Sequence, residues 1–145
     1  EQPDNLKENA VKSSPENAGK NTLLNPDLGM KYCAGIKEMY LEVLKMFLDQ
    51  YESKRADLER YYANENWNDY TVMIHSLKTN ALNVGCETFA EECLKLEKAG
   101  KKLRENVDIE ENKDFILKNH EATMCFYLSV IEEVTKYLTQ EGEDV

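Results

Sequence analysis

The sequence has little proline and glycine. Its 145 residues include three prolines and six glycines, and no proline follows Pro26. Proline interrupts helices, and both residues concentrate in turns, so this scarcity argues against collagen-like, proline-rich and turn-dense all-β chains. Hydrophobic residues make up 41% and charged residues 32% of the chain, which is a globular rather than a disordered composition. We therefore expect long helices within a single domain.

Other absences exclude classes of function. No apolar run approaches the length of about 18 residues that a membrane-spanning helix needs, and no apolar signal core opens the chain. The four cysteines form no CxxC pair and there are only two histidines, so we expect no metal site and predict buried cysteines in a reducing compartment. The chain is also too short for a nucleotide-driven kinase domain, a TIM barrel or a two-domain dehydrogenase. We interpret it as a cytoplasmic segment, the end of a longer polypeptide.

The charge balance limits the partners. The formal net charge is −10, and a phosphate backbone would repel such a chain in the absence of a local basic patch. We therefore expect no nucleic-acid partner. Residues 1–26 are polar and lack periodicity, which predicts a flexible linker or tail ahead of the folded part.

From residue 27 onward the apolar residues recur at helical spacing. The pattern predicts a short helix over 27–34, capped by Asn25 or Asp27, and long helices over 36–63, 67–84 and 110–139. A further helix follows Gly85; it begins either in a T-x-x-E capping box at Thr88 or slightly earlier, at Cys86 or Glu87. Short connections between long amphipathic helices predict an all-α fold: an antiparallel up-down-up-down four-helix bundle over 27–145, with a short leading helix.

His75 does not fit the core pattern of its helix. On a helical wheel at about 100° per residue it points roughly 150° away from the apolar stripe, so we expect it to face solvent in mid-helix. Its neighbours on that face or its flank are predicted to be exposed as well, and they include apolar side chains, which indicates a docking patch. These neighbours are Thr71, Val72, Lys78, Thr79 and Leu82.

The residue types around His75 suggest phosphoryl chemistry. A solvated imidazole has a pKa of about 6.5, so its neutral form offers a nucleophilic nitrogen at physiological pH. Lys78, one turn along, can neutralise the charge of a phosphoryl group. The sequence offers no Ser-His-Asp constellation, no converging pair of carboxylates and no glycine-rich phosphate loop near this histidine.

The segment His75-Ser-Leu-Lys-Thr-Asn-Ala-Leu-Asn-Val-Gly85 resembles the histidine-containing phosphotransfer (HPt) domain. That family's pattern is H-x-apolar-K, then small residues, then glycine ten residues after the histidine. The segments 28–35, 40–47 and 67–71 are similar to the family's first helices and to the approach to its active helix. The resemblance covers residues 27–105, and the last helix loosely.

The resemblance implies that His75 accepts a phosphoryl group on Nε2 from a receiver-domain aspartyl phosphate and passes it to another receiver. It implies that Lys78 steadies the phosphoryl oxygens and that Gly85 lets the receiver pack closely; Gly85 reads equally well as a helix terminator. Two departures stand out. Thr79 replaces a common glycine, and the basic residue on the neighbouring helix would have to be Lys98 or Lys101, with the acidic Glu97 between them.

The same resemblance implies the partners and cofactors. Partners would be response-regulator receiver domains or a hybrid sensor kinase, bound transiently by a monomer that does not contact the membrane. The chain would need no cofactor, because the receiver supplies Mg²⁺, and it would have no ATP-dependent kinase activity of its own. It would be a cytoplasmic protein, or the cytoplasmic C-terminal module of a larger, membrane-bound hybrid kinase.

Two other classes of protein fit parts of this pattern. A sensor-kinase dimerisation domain also presents a helical histidine, but its H-E-apolar-[K/R]-x-P pattern is broken here by Ser76 and Asn80. A non-catalytic helical adaptor would bind a partner through Val72 and Leu82 without phosphorylation. His120 borders the core stripe of the last helix, so we expect it to have a structural or half-exposed role.

Overall fold

The computed structural model describes residues 23–145, and within them the chain is all-helical, with six helices and no strand. The helices, in chain order, are α1 Pro26–Tyr32, α2 Lys37–Asp49, α3 Tyr51–Ala63, α4 Trp67–Val84, α5 Glu87–Arg104 and α6 Ile109–Gln140. None of these helices is long and apolar enough to cross a membrane.

The predicted helix over 36–63 is wrong as a single element. It is divided at Gln50 into α2 and α3, although hydrogen bonds from Gln50 N to Met46 O and from Lys54 N to Gln50 O keep the helical spacing across the break. At the break, the Gln50 side chain accepts a hydrogen bond from Asn80 of α4. Helices α2 and α3 are therefore separated by Gln50 alone, with no loop between them.

The helix ends follow local capping chemistry. Asn25 and Asn66 cap α1 and α4, their side-chain oxygens accepting from Leu28 N and Asp69 N. Gly85 ends α4 in the left-handed conformation, at φ 93°, as its role of terminator predicts. The Thr88 capping box is not used, because α5 already begins at Glu87, and the earlier of the two predicted starts is the correct one.

Aromatic and apolar side chains join the helices around one core. The strongest packing is of α4 on α5 and of α5 on α6, while α2 contacts both α4 and α6. Contacts between Tyr40 and Tyr137, and between Phe47 and Tyr127, show that α2 runs antiparallel to α6. The α3 residues Tyr51 and Glu59 extend that pairing to Tyr127 and His120. Helices α2 and α3 thus pack one after the other along α6.

The folded part begins slightly before the predicted boundary at residue 27. Leu24 is buried, and Asn25 N donates to Gly85 O across a 2.8 Å hydrogen bond. Residues 24–26 are therefore part of the packed structure and not of a tail. The rest of the predicted tail, residues 1–22, lies outside the described residues.

Candidate functional site

His75 lies in the middle of α4 with an exposed side chain, as its position on the helical wheel predicts. The side chain is 58% exposed, whereas its neighbours Ile74 and Leu77 are buried in the core. The inward face of α4 therefore fixes the helix, and the helix holds the imidazole at the surface. Among residues 23–145, only Nδ1 of this ring makes a hydrogen bond, so Nε2 remains open to an incoming group.

The partner of Nδ1 is Glu97 of α5. Its Oε2 lies 2.7 Å from His75 Nδ1, and its side chain is only 1% exposed. Two ammonium groups complete its surroundings: Lys78 Nζ is 2.7 Å from Oε1 and Lys101 Nζ is 3.2 Å from Oε2. A buried carboxylate thus joins one imidazole and two lysines across the α4–α5 interface.

The charge state of Glu97 follows from these contacts. Burial by itself raises the pKa of Glu97, but close contacts with the Lys78 ammonium, the His75 imidazole and the Lys101 ammonium outweigh burial and lower the pKa to about 2. The carboxylate is therefore ionised at physiological pH and can only accept hydrogen bonds. It follows that His75 Nδ1 carries a proton and that this N–H donates a hydrogen bond to Glu97 Oε2.

This hydrogen bond selects a tautomer. A neutral imidazole has one protonated nitrogen and one with a free lone pair. With the proton of His75 held at Nδ1 by Glu97, the lone pair lies on Nε2. An imidazole oriented by a carboxylate at one nitrogen and reactive at the other is the arrangement found in Ser-His-Asp triads, here without a serine.

Lys78 is less exposed than its position beside His75 predicts. Its side chain is 19% exposed and is paired with the buried Glu97 carboxylate. The sequence suggests that Lys78→Ala would leave the fold intact, but removing this cation would leave a buried charge poorly compensated and cost stability. Slower transfer in such a variant would mix a chemical effect with a structural one.

The other predicted partner-binding residues divide into two groups. Val72 and Thr79 are exposed and Leu82 is partly buried, so they flank His75 on or near the surface. Thr71 is buried, contrary to prediction, because its side chain packs against Gly100 of α5; its hydroxyl donates to Trp67 O within α4. Gly85 is buried too.

The surroundings of Gly85 show why it is glycine. A Cβ atom at this position would lie 2.1 Å from Asn25 O and 3.1 Å from Gly29 N, at the entry to α1. The left-handed backbone and this close approach both require the absence of a side chain. The close approach at Gly85 is thus to α1 of this chain, and its contact with a partner stays a prediction.

Of the two lysines predicted to give electrostatic support, the structure brings only Lys101 to His75. Lys98 is exposed on α5 and does not line the cleft beside His75. This cleft, of about 280 Å³, lies between α4 and α5. Its lining consists of Thr71, Val72, His75, Glu97, Lys101 and Arg104.

Sequence reasoning missed the role of Glu97 and the presence of Arg104 in the cleft. A signal for Glu97 was available, because it lies one turn from both Cys93 and Gly100 on the inward side of α5, where a carboxylate needs partners. Pairing it with His75 also required the register of α4 against α5. That register depends on packing between helices and not on any local pattern.

His120 has the structural surroundings predicted for it. It is fully buried in α6 and stacks on Tyr62, with ring centroids 3.9 Å apart. Its Nε2 lies 2.8 Å from Glu59 Oε1 and its Nδ1 lies 2.9 Å from Tyr70 Oη. Because a carboxylate accepts, Nε2–H donates to Glu59 and the Tyr70 hydroxyl donates to Nδ1. Both ring nitrogens are thus engaged, unlike those of His75.

Comparison of the chain with protein-family models, with curated proteins and with solved structures found no match. Within residues 23–145, no group of three or more His, Cys, Asp or Glu side chains is arranged to hold a metal ion. The functional interpretation therefore rests on the geometry around His75.

Proposed function

We propose that the chain is a phosphorelay module that carries a phosphoryl group on His75 Nε2 between receiver domains. The observation that carries the proposal is the His75–Glu97 hydrogen bond. It places a buried, ionised carboxylate 2.7 Å from Nδ1 and directs the lone pair of an exposed imidazole outward. A histidine that is merely exposed at a surface does not require an ionised, buried carboxylate at its Nδ1. The Glu97 contact therefore distinguishes His75 from an ordinary surface histidine.

The proposed step transfers a phosphoryl group without a nucleotide. The Nε2 lone pair attacks phosphorus of the receiver's aspartyl phosphate, and an N–P bond forms. The P–O bond to the aspartate breaks, and its electron pair stays on the aspartate carboxylate. Reversal onto a second receiver's aspartate releases the group again. Mg²⁺, when bound by the receiver, would neutralise charge on the phosphoryl oxygens.

Glu97 would assist the step from beneath the ring. As Nε2 bonds to phosphorus, positive charge develops on an imidazole whose Nδ1 remains protonated. The ionised carboxylate at Nδ1 stabilises that charge, as a triad aspartate does for its histidine. The negative charge of Glu97 therefore stabilises the positively charged ring. The ammonium groups of Lys78 and Lys101 shield the Glu97 charge from the phosphoryl oxygens.

The packing of the helices supports the architecture that the proposal needs. Helices α4 and α5 are antiparallel, since Asn68 pairs with Arg104 and His75 with Glu97. Helices α2 and α3 together run antiparallel to α6. These pairings support a four-helix bundle in which α2 and α3 together form one member and α1 precedes them.

The two alternatives have less support. In a sensor-kinase dimerisation domain the histidine helix packs against a second copy, whereas the apolar face of α4 is already buried within this chain. A helical adaptor would use the exposed Val72, but would not require an ionised carboxylate locked to the adjacent imidazole.

The experiment is a transfer assay. The full chain is incubated with a panel of ³²P-phosphorylated receiver domains. We expect at least one receiver to transfer label to the chain as an acid-labile, base-stable adduct. His75→Gln should abolish labelling, and His120→Gln, checked for folding by circular dichroism, should retain it. Labelling of the His75→Gln variant, or its absence across receivers from the organism's whole genome, would contradict the proposal.

A further inference from the structure

Helix α5 contains a glycine in its interior, at its contact with α4. Gly100 is buried, and glycine inside a helix costs about 1 kcal/mol relative to alanine. A Cβ atom here would lie 2.1 Å from Thr71 Oγ1 and 3.2 Å from Thr71 Cβ. The two helices are therefore closer at this point than any side chain on residue 100 would allow.

Thr71 cannot easily move away to make room. Its side chain is buried, and its hydroxyl donates a 2.6 Å hydrogen bond to Trp67 O in the preceding turn. Rotation about χ1 would break this bond in a buried place, and the β-branched side chain has few alternative rotamers within a helix. Any atom added at Gly100 would therefore push against a fixed group.

The contact between Thr71 and Gly100 adjoins the contact between His75 and Glu97. Helices α4 and α5 are antiparallel. His75 follows Thr71 by four residues and Glu97 precedes Gly100 by three, so the two contacts lie one helical turn apart. Helices are stiff over one turn, so the separation at the first pair sets the separation at the second. The Glu97 side chain reaches both His75 and Lys78 at 2.7 Å while remaining 1% exposed, which requires closely spaced helices.

We propose that Gly100 is a positioning residue: the absence of a side chain opposite Thr71 sets the α4–α5 spacing and thereby holds the proton of His75 on Nδ1 through Glu97. The consequence for phosphoryl transfer rests on the proposed function. The hydrogen bond and the tautomer can be measured without any phosphorylation, so the two proposals can fail separately.

The test is ¹⁵N NMR of histidine-labelled protein above pH 8, where a free imidazole is neutral. In the wild type we expect His75 to show a protonated Nδ1 and an unprotonated Nε2. In Gly100→Ala we expect its two nitrogen signals to move toward the averaged values of an imidazole that exchanges between tautomers. His120 serves as an internal control, because its nitrogens are held by Tyr70 and Glu59.

Rescue separates positioning from general damage. Thr71→Ala removes the hydroxyl that a new Cβ would meet, leaving 3.2 Å to Thr71 Cβ as the nearest contact to that residue. We expect Thr71→Ala/Gly100→Ala to recover the wild-type His75 signals, and Thr71→Ala alone to keep them. If Gly100→Ala does not fold, the double variant is compared directly with the wild type and with Thr71→Ala.

Two results would overturn the inference: a folded Gly100→Ala variant with unchanged His75 signals, or a folded double variant whose signals remain averaged. A wild-type protein with the expected signals but no phosphorylation at His75 would instead contradict the proposed function and leave the positioning inference standing.

Discussion

At the scale of the residue, the site depends on one buried charge. The Glu97 carboxylate contacts the His75 imidazole and the Lys78 and Lys101 ammonium groups. These contacts together compensate for the burial of its charge. The chemistry proposed for His75 is thus a property of the hydrogen-bonded group and not of the histidine alone. By contrast, both ring nitrogens of His120 form hydrogen bonds within the core, so neither is free to react.

Glu97→Gln tests this dependence. The substitution keeps the shape of the side chain but removes the charge that fixes the proton on Nδ1 and stabilises the developing imidazolium. A charge-assisted hydrogen bond contributes about 1.5–3 kcal/mol, so we expect phosphorylation of His75 to slow about tenfold or more. The measurement is the initial rate of label uptake from a phosphorylated receiver.

Glu92→Gln is the matched control for that experiment. Glu92 lies on the same helix and pairs only with Lys95 in the described part of the chain, away from the cleft. The Glu92→Gln substitution removes the same negative charge as Glu97→Gln. We expect it to leave the rate of label uptake unchanged. Equal rates for the two variants would remove Glu97 from the proposed mechanism.

The pKa of Glu97 also predicts a pH dependence of stability. Because folding lowers this pKa from 4.5 to about 2, the stabilisation is complete above pH 4.5 and is lost as the pH falls toward 2. We expect the free energy of unfolding, measured by urea titration, to fall less steeply between pH 4.5 and 2 in Glu97→Gln than in the wild type. Parallel curves would show that the ion pairs do not lower the pKa.

At the scale of the element, α3 depends most on a few specific contacts. Leu58 is its one fully buried residue, whereas α4 and α5 each bury six or more. Its remaining anchors include the Tyr51 ring on Tyr127, the Tyr62 ring on His120 and the Glu59–His120 hydrogen bond. An element with so little buried apolar surface is expected to open before the rest of the fold.

Glu59→Ala tests this anchoring by amide hydrogen exchange. Removing the carboxylate leaves the buried His120 Nε2–H without its acceptor, so we expect α3 amides to lose about 1 kcal/mol of protection. Amides of α4 and α5 should change less. Glu52→Ala, an exposed change on the same helix, is the control, and a uniform loss across all helices would contradict local anchoring.

The helices show what the sequence could predict. The bounds of α4 are correct because the apolar stripe, the Asn66 cap and the Gly85 terminator are all local signals. The break at Gln50 was not predicted, since the apolar spacing continues through it. Likewise, the wheel places His75 outward, but no local pattern shows that Gly100 brings α5 close enough for Glu97 to reach it.

At the scale of the whole molecule, net charge and local charge differ. The chain carries −10 overall, but the cleft beside His75 is lined by the cations Lys101 and Arg104, with Glu97 buried beneath. An acidic receiver would therefore be repelled at a distance and attracted only at the cleft. The exposed Val72, at its rim, adds apolar contact. This combination suits a weak, transient complex.

The most direct test of the central claim asks which nitrogen carries the phosphoryl group. The full chain is treated with potassium phosphoramidate, a small phosphoryl donor that needs no partner protein, and is followed by ³¹P and ¹⁵N NMR. We predict a single phosphohistidine, at Nε2 of His75, with Nδ1 still protonated. Phosphorylation at Nδ1, at His120 only, or at neither histidine would contradict the account.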